Sequence, residues 1–133
     1  MARLGDIMTR EVFTASPDTP VAEVARSMVK GRFGSAVVTQ SSMPVGIFTE
    51  RDVLRAAASG TDLTMSRISE WMTRDPETVS ADLDSEEAAQ IMLSRGFRHL
   101  PVLDGNAVVG IVSLRDVLST RIRRAANRIR APL

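Results

Sequence analysis

One nine-residue stretch occurs twice in this 133-residue chain, and the two copies are 64 positions apart. The copy that begins at Gly46 reads Gly-Ile-Phe-Thr-Glu-Arg-Asp-Val-Leu, and the copy at Gly110 reads Gly-Ile-Val-Ser-Leu-Arg-Asp-Val-Leu. A clear internal repeat indicates structurally equivalent units and is interpreted before any single motif. In each copy an apolar run meets a hydroxyl residue and then an Arg-Asp pair. This pattern suits a polar ligand where a strand leads into a helix.

The repeat extends without a gap from residues 8–54 onto residues 72–118. A unit of about 60 residues buries only about 60% of its unfolded surface and is marginal alone. We therefore expect the two units to pack face to face as one module. The expected divisions are one module over 1–133, repeat 1 at 6–58, a linker at 59–69, repeat 2 at 70–122, and an arginine-rich C-terminal extension at 123–133.

Apolar periodicity and turn residues predict a β-α-β-β-α order in each unit, so the fold class is α/β (α+β). Thr19 and Pro20 are typical of a helix start, with Thr19 as the cap, and Gly31 of its end. In the second unit Asp84, with Glu87 three residues later, predicts a capping box, and Gly96 the end of that helix. The predicted strands are 12–15, 35–39 and 45–48 in the first unit, and 77–79, 100–103 and 108–112 in the second.

Composition limits the function classes. The formal net charge is only +1, which gives the whole protein no electrostatic case for nucleic acid or a membrane. The chain has no cysteine, so disulfides, thiol catalysis and cysteine metal sites are excluded. No apolar run approaches the roughly 18 residues of a membrane span. We expect a soluble protein of the cytoplasm without a membrane partner, and composition disfavours nucleic acid as a partner.

An enzyme is the weakest of the candidate classes. The sequence has no phosphate loop of the P-loop type, no glycine fingerprint for dinucleotides, and no nucleophile with an evident base. His99 is the single histidine, which argues against a histidine-based metal cluster. We therefore expect no catalytic residues and no bound metal.

The element order, together with three sequence features, resembles the cystathionine β-synthase (CBS) domain family. These features are Asp-Ile-Met-Thr at 6–9, Arg-His-Leu-Pro-Val-Leu-Asp at 98–104, and the duplicated Gly-apolar-apolar-(Thr/Ser)-x-Arg-Asp-Val-Leu. The resemblance covers about residues 6–122. It implies two repeats with pseudo-two-fold symmetry, homodimers of such pairs, and clefts that bind adenosine-containing ligands. The implied ligand is AMP, ADP or ATP, or S-adenosylmethionine, with no cofactor required.

The family's binding positions can be placed on this chain. Asp52 and Asp116 match the aspartate that holds ribose hydroxyls, and Thr49 and Ser113 match the hydroxyl residue near phosphate. The chemistry is sensible, since a carboxylate accepts both protons of a cis-diol and a hydroxyl donates to a phosphate oxygen. The resemblance implies two sites, each joining the aspartate of one repeat to the strand entry of the other. One joins Thr49 and Asp52 to Arg98, His99 and Pro101; the other joins Ser113 and Asp116 to Thr14, Ser35 and Ala36.

We expect these two sites to differ. Arg98 and His99 offer charge and donors to a phosphate, whereas the equivalent residues Gly34 and Ser35 offer no charge. The site with Asp52 should therefore prefer a charged phosphate. The site with Asp116 would rely on Arg32, Arg51 or Arg115, or hold a less charged adenosine compound or nothing.

Two plainer interpretations remain open. A hydroxyl residue three positions before an aspartate is also an ordinary helix cap, and capping can coexist with ligand contact. The C-terminal segment carries an apolar seam, for which we favour packing on the body or on a dimer mate over nucleic acid or an acidic partner. The seam is Leu118, Ile122, Ala125 and Ile129, and the arginines around it are Arg121, Arg123, Arg124, Arg128 and Arg130.

The sequence thus predicts a non-catalytic regulatory module that binds an adenosine-containing ligand and signals through rearrangement of a homodimer or of a separate protein target. The alternative is a structural interaction module with unused clefts, which recruits a partner or nucleic acid through the arginine-rich helix.

Overall fold

The computed structural model describes the backbone of residues 2–130 and all of their side chains except those of Arg124, Ile129 and Arg130. The first half contains α1 (Leu4–Ile7), β1 (Thr14–Ala15), α2 (Val21–Gly31), β2 (Ser35–Gln40), β3 (Met43–Thr49) and α3 (Glu50–Ala58). The second half contains a 3₁₀ helix (Ile68–Glu70), β4 (Thr73–Arg74), β5 (Val79–Ser80), α4 (Ser85–Arg95), β6 (His99–Asp104), β7 (Ala107–Ser113) and α5 (Leu114–Arg130). The predicted α/β class, with its duplicated β-α-β-β-α unit, is confirmed.

Each repeat builds its own sheet around an antiparallel hairpin. The strand order is β1-β2-β3-β4 in the first sheet and β5-β6-β7 in the second. β1 runs parallel to β2, and β5 runs parallel to β6. Both hairpins shift register at the same place, between Val38 and Thr39 and between Val102 and Leu103. The two units are therefore equivalent down to the pairing of single residues.

The segment that precedes each repeat packs into the other repeat. The N–H groups of Leu4 and Gly5 donate to the carbonyls of Leu83 and Ala81, and the Leu4 side chain is fully buried in the core of repeat 2. In return, β4 pairs with β3, and Ile68 is buried in the core of repeat 1. The core of each repeat therefore contains a residue from the segment that precedes the other repeat in the sequence.

This exchange explains why the shared motif begins with glycine. A Cβ on Gly46 would lie 3.0 Å from Met72 Cγ and 3.0 Å from the Thr73 carbonyl oxygen. A Cβ on Gly110 would lie 2.9 Å from Met8 Cγ and 3.1 Å from the carbonyl oxygen of Thr9. The exchanged segments cross these glycines too closely for a side chain.

The start and end predicted for α2 need correction. Pro20 is the N-cap and not the first helical residue, and Thr19 does not cap, because the chain is still extended at Pro20 (ψ 143°). The helix includes Gly31, and the left-handed residue that ends it is Arg32 (φ 58°). Gly31 is required for another reason, since a Cβ there would overlap the ring of Phe33.

The limits of α4 are closer to the prediction. Asp84 is the N-cap, and its carboxylate accepts from the N–H of Glu86 at 3.0 Å instead of forming a capping box with Glu87. Gly96 ends the helix in the left-handed conformation (φ 76°), as predicted. Each hairpin strand extends one or two residues beyond its predicted limits.

The apolar seam predicted near the C-terminus lies on α5 but is not covered by the body of the chain. Leu118 is 45% exposed and Ile122 is 68% exposed. Arg121 is an exposed ion-pair partner of Glu86 on α4. The seam position Ile129, as a side chain, and residues 131–133 of the predicted extension lie outside the described residues. Across residues 2–130, no helix combines the length and the apolar character that a membrane crossing requires.

Candidate functional site

Both hydroxyl-aspartate pairs of the repeated motif form the reciprocal bonds of a helix N-terminus. The N–H of Thr49 donates to Asp52 Oδ2 at 2.9 Å, and the N–H of Asp52 donates to Thr49 Oγ1 at 3.4 Å. The corresponding distances for Ser113 and Asp116 are 2.9 Å and 3.1 Å. Capping is therefore present in both copies. It engages only one oxygen of each carboxylate.

The second carboxylate oxygen distinguishes the two aspartates. Asp52 Oδ1 accepts from Arg55 Nη1 at 3.0 Å, and the Asp52 side chain is only 8% exposed. Asp116 Oδ1 accepts no hydrogen bond from any residue in the described part of the chain. Asp116 can therefore receive a donor from outside the protein without losing an existing partner.

A cleft of about 830 Å³ lies between the two repeats beside Asp116. Its walls come from the segment before β1, the entry to β2, the entry to β6, and the N-terminal turns of α3 and α5. Eight of the twelve predicted site residues line this one cleft: Ser35, Thr49, Arg51, Arg98, His99, Ser113, Arg115 and Asp116.

The other four predicted residues do not line it. Ala36 is completely buried in the core of repeat 1, and Pro101 is buried in β6 opposite Ile111. Thr14 is an exposed residue of β1, and Asp52 is buried beside Arg55. Arg98 and His99 lie in the Asp116 cleft, although the resemblance assigned them to the site with Asp52. The binding roles of all twelve residues stay predictions.

The sequence analysis missed two aromatic residues of this cleft, Phe13 and Phe33. Their rings are stacked, with centroids 5.3 Å apart and planes inclined by 17°. Each comes just before the entry to a strand, and that position was the only sequence signal for them. The pair gives the cleft an apolar surface.

A second cleft, related to the first by the repeat, is almost closed. It measures about 40 Å³ and is lined by Ile47, Thr73, Pro76, Glu77, Phe97 and His99. Each of these residues is 64 positions from a residue that lines the large cleft. The space is little more than the roughly 30 Å³ that one water molecule occupies in the liquid. One larger side chain contributes to this difference, since His99 lies where the large cleft has Ser35.

The large cleft is lined by more basic than acidic side chains. Four arginines line it, and none of them forms an ion pair within the described residues. They are Arg32, Arg51, Arg98 and Arg115. The lining carboxylates are Glu11, Glu50 and Asp116. The cleft is therefore suited to an anionic ligand.

His99 is the titratable group between the two clefts and lines both. Burial lowers the pKa of His99, and the charge of Arg98 acts in the same direction. The carboxylates of Asp116 and Glu50 oppose this effect and do not overcome it. His99 is therefore a neutral hydrogen-bonding group at pH 7.

Known proteins with the same fold and sequence pattern identify the family. The CBS domain family is matched twice, by residues 4–59 and by residues 68–123. An uncharacterized 17.7 kDa protein of Acidianus ambivalens is 40% identical over 117 residues, which cover 86% of this chain and 70% of that protein. The CBS domain-containing protein YhcV of Bacillus subtilis is 34% identical, over 88% of this chain and 84% of YhcV.

A solved structure agrees with these sequence matches. The CBS domain pair of protein MJ0100, in complex with 5′-methylthioadenosine and S-adenosyl-L-methionine, superposes with a TM-score of 0.84 at 25% identity. The superposition covers 93% of this chain and 98% of that one. Two matched domains, an equivalent sheet in each, and the exchange of segments between them lead to one conclusion: the chain belongs to the CBS domain family, as a tandem pair of CBS domains.

Proposed function

We propose that this CBS pair is a regulatory module that binds an adenosine-containing ligand in the cleft beside Asp116. The observation that carries the proposal is one cleft of about 830 Å³ that combines an aspartate, a serine hydroxyl and four arginines. Its size is within the range of about 300 to 1,000 Å³ that is typical of small-molecule sites. The adenosine compounds in the MJ0100 complex support the ligand class.

Each part of an adenosine nucleotide has a chemical counterpart in this cleft. The ribose hydroxyls donate to the Asp116 carboxylate, which has one oxygen without a partner in the described chain. The Ser113 oxygen already accepts from the Asp116 N–H, so its own proton is directed to a phosphate oxygen. The stacked rings of Phe13 and Phe33 offer the base an apolar surface.

The arginines favour a phosphorylated ligand. Arg32, Arg51, Arg98 and Arg115 line the cleft without carboxylate partners among the described residues. Guanidinium groups bind phosphate in bidentate geometry and remain charged at every relevant pH. We therefore place AMP, ADP or ATP ahead of S-adenosylmethionine, whose sulfonium adds a positive charge.

Regulation requires that the ligand bind one of two states more tightly. The cleft draws its walls from both repeats, and Leu118 and Ile122 of α5 belong to its lining while remaining exposed. A ligand there contacts the same helix that presents the uncovered apolar seam. We propose that the chain forms a homodimer through its exposed apolar helix residues and passes the signal to a separate protein. These residues are Val29, Leu54, Leu93, Leu118 and Ile122.

The test is thermal unfolding, followed by calorimetric titration, with AMP, ADP, ATP, S-adenosylmethionine and 5′-methylthioadenosine. A ligand at 100 times its dissociation constant adds about 2.7 kcal/mol to the free energy of unfolding. That raises Tm by several degrees for a chain of this size. If none of the five compounds raises Tm, the sensor function is wrong and the interaction module with unused clefts replaces it.

A further inference from the structure

The carboxylate of Asp52 already has an occupant from its own chain. Arg55 Nη1 donates to Asp52 Oδ1 at 3.0 Å, and the Arg55 guanidinium carbon lies 5.7 Å from the centroid of the Trp71 ring. The indole of Trp71 donates to Ser66 Oγ at 3.0 Å, and the Ser66 hydroxyl donates to Glu70 at 3.0 Å. A continuous series of contacts thus ties Asp52 to the segment between the repeats.

Among residues 2–130, the described side chains provide nothing equivalent at Asp116. The residue 64 positions after Arg55 is Ser119, and the residue 64 positions before Trp71 is Ile7. A serine at the i+3 position carries neither the charge nor the length to pair with Asp116. The hydroxyl residues differ in the same sense, because the Thr49 hydroxyl donates to Asp52 Oδ2 at 3.2 Å. The Thr49 hydroxyl and the Asp52 carboxylate are thus both engaged by groups of the protein itself.

The two clefts agree with this difference. The small cleft, which corresponds by the repeat to the large one, measures about 40 Å³ and is not lined by Asp52, whereas about 830 Å³ lies beside Asp116. His99 lines the small cleft at the position where the large one has Ser35. A single i,i+3 ion pair is weak by itself. The position of Arg55 over the Trp71 ring adds to its effect, and His99 narrows the small cleft.

We propose that Arg55 takes up the free oxygen of the Asp52 carboxylate and that His99 narrows the small cleft, so that the CBS pair binds one adenosine ligand per chain. Asp52 then anchors the segment between the repeats and does not bind ribose. The choice of an adenosine compound as probe rests on the proposed function. The assignment of Asp52 to an intramolecular role is independent of the proposed function.

The first experiment gives Asp116 the partner that Asp52 already has. Calorimetric titration of the wild-type chain with AMP should give one site per chain. Ser119→Arg should weaken AMP binding by at least about tenfold, because the guanidinium competes with the ribose hydroxyls. Asn127→Arg adds the same charge two turns further along α5 and should leave the affinity unchanged. Two AMP sites in the wild type, or equal effects of the two arginines, would overturn the proposal.

The second experiment opens the closed cleft. With Asp116→Asn present to weaken the first site, Arg55→Ser and His99→Ser together should create a second, tighter AMP site. Adding Asp52→Asn should abolish it. Circular dichroism checks that each variant is folded, and a folded triple variant that binds no AMP contradicts the proposal.

The third experiment uses no ligand, so it remains decisive if the proposed function fails. A double-mutant cycle between Asp52→Asn and Arg55→Ser, measured by urea unfolding, should show coupling of at least about twofold in the unfolding equilibrium constant. The matched cycle of Asp116→Asn with Ser119→Ala should show none. Zero coupling between Asp52 and Arg55 would refute the intramolecular role. Coupling there, with AMP binding to no variant, would refute only the adenosine ligand.

Discussion

The Ser113 oxygen accepts from the Asp116 N–H at 3.1 Å, and among the described residues its hydroxyl proton is donated to no one. The equivalent Thr49 hydroxyl accepts from the Asp52 N–H at 3.4 Å and also donates to Asp52 Oδ2 at 3.2 Å. The two copies of the motif therefore share a capping function and differ in what they leave for a ligand. Among the described residues, the copy on α5 alone has a hydroxyl proton and a carboxylate oxygen without a hydrogen-bond partner.

Asp116→Asn should weaken the binding of AMP by about ten- to a hundredfold. The change removes a charged acceptor, and hydrogen bonds to charged groups contribute about 1.5 to 3 kcal/mol. The amide oxygen of asparagine can still accept from the Ser113 N–H, so the cap at the start of α5 is retained. Isothermal titration calorimetry measures the affinity, and thermal unfolding without ligand measures the stability.

Asp104→Asn is the matched control, because Asp104 is exposed at the end of β6 and does not line the cleft. It makes the same chemical change and should leave the affinity for AMP as it is. If Asp116→Asn also binds AMP like the wild type, the ribose is held elsewhere.

The internal repeat of the sequence predicted most of the fold. Two copies at a fixed offset of 64 residues require equivalent elements, and the structure has them, including the shift at Val38 and at Val102. Local chemistry was sufficient at Gly96, where the chain needs a positive φ. The exchange of segments was not predictable, because periodicity shows that Leu4 is apolar but not which of two similar cores buries it.

The candidate site, like the fold, has features that the sequence predicted and features that it did not. The spacing of Ser113 and Asp116 predicted the cap at the start of α5, which the structure confirms, while their binding role stays a prediction. Arg55 was not predicted as a partner of Asp52, because an arginine on a helix usually points to solvent and its position over the Trp71 ring depends on the tertiary fold. The unequal size of the clefts depends on which of two equivalent positions carries the larger side chain, as His99 does relative to Ser35.

His99 should make the folded state less stable in mild acid. Burial lowers its pKa from the ordinary value of 6.5, so below that pH the unfolded chain binds a proton that the folded chain resists. The free energy of unfolding should therefore fall as the pH drops through this window. The loss stops once the pH is below the lowered pKa of the folded state. Urea unfolding at several pH values between about 7 and 5 measures the slope.

His99→Gln provides the comparison, because glutamine keeps a polar side chain of similar length and does not titrate. The slope assigned to His99 should be absent from this variant, which keeps the neighbouring side chains of Asp116 and Glu50. Equal slopes for the two proteins would mean that carboxylates alone produce the acid dependence.

Gly46→Ala and Gly110→Ala should each destabilise the fold by about 1 to 3 kcal/mol. Met72 and Met8 can turn away from a new methyl group, but the carbonyl oxygens of Thr73 and Thr9 at 3.0 Å and 3.1 Å are fixed in the exchanged segments. Gly5→Ala is the control, because Gly5 lies in α1 and a Cβ there would be 3.4 Å from its nearest neighbour. Urea unfolding measures all three, and losses below about 0.5 kcal/mol in both variants would show that the crossing tolerates a side chain.

Replacing Ser41 and Ser42 by Asn-Gly should stabilise the protein by about 1 kcal/mol and raise Tm by roughly 3 to 6 °C. The two serines form the loop between β2 and β3 with φ of 52° and 65°, a left-handed conformation that costs energy for residues with a Cβ. Asn-Gly adopts this type I′ geometry most readily. In the equivalent hairpin of repeat 2, Gly105 has φ of 60°, so Gly105→Ala should lower Tm and serves as the opposite control. Calorimetry of the two variants decides the matter, because an unchanged Tm in both would mean that neither turn is strained.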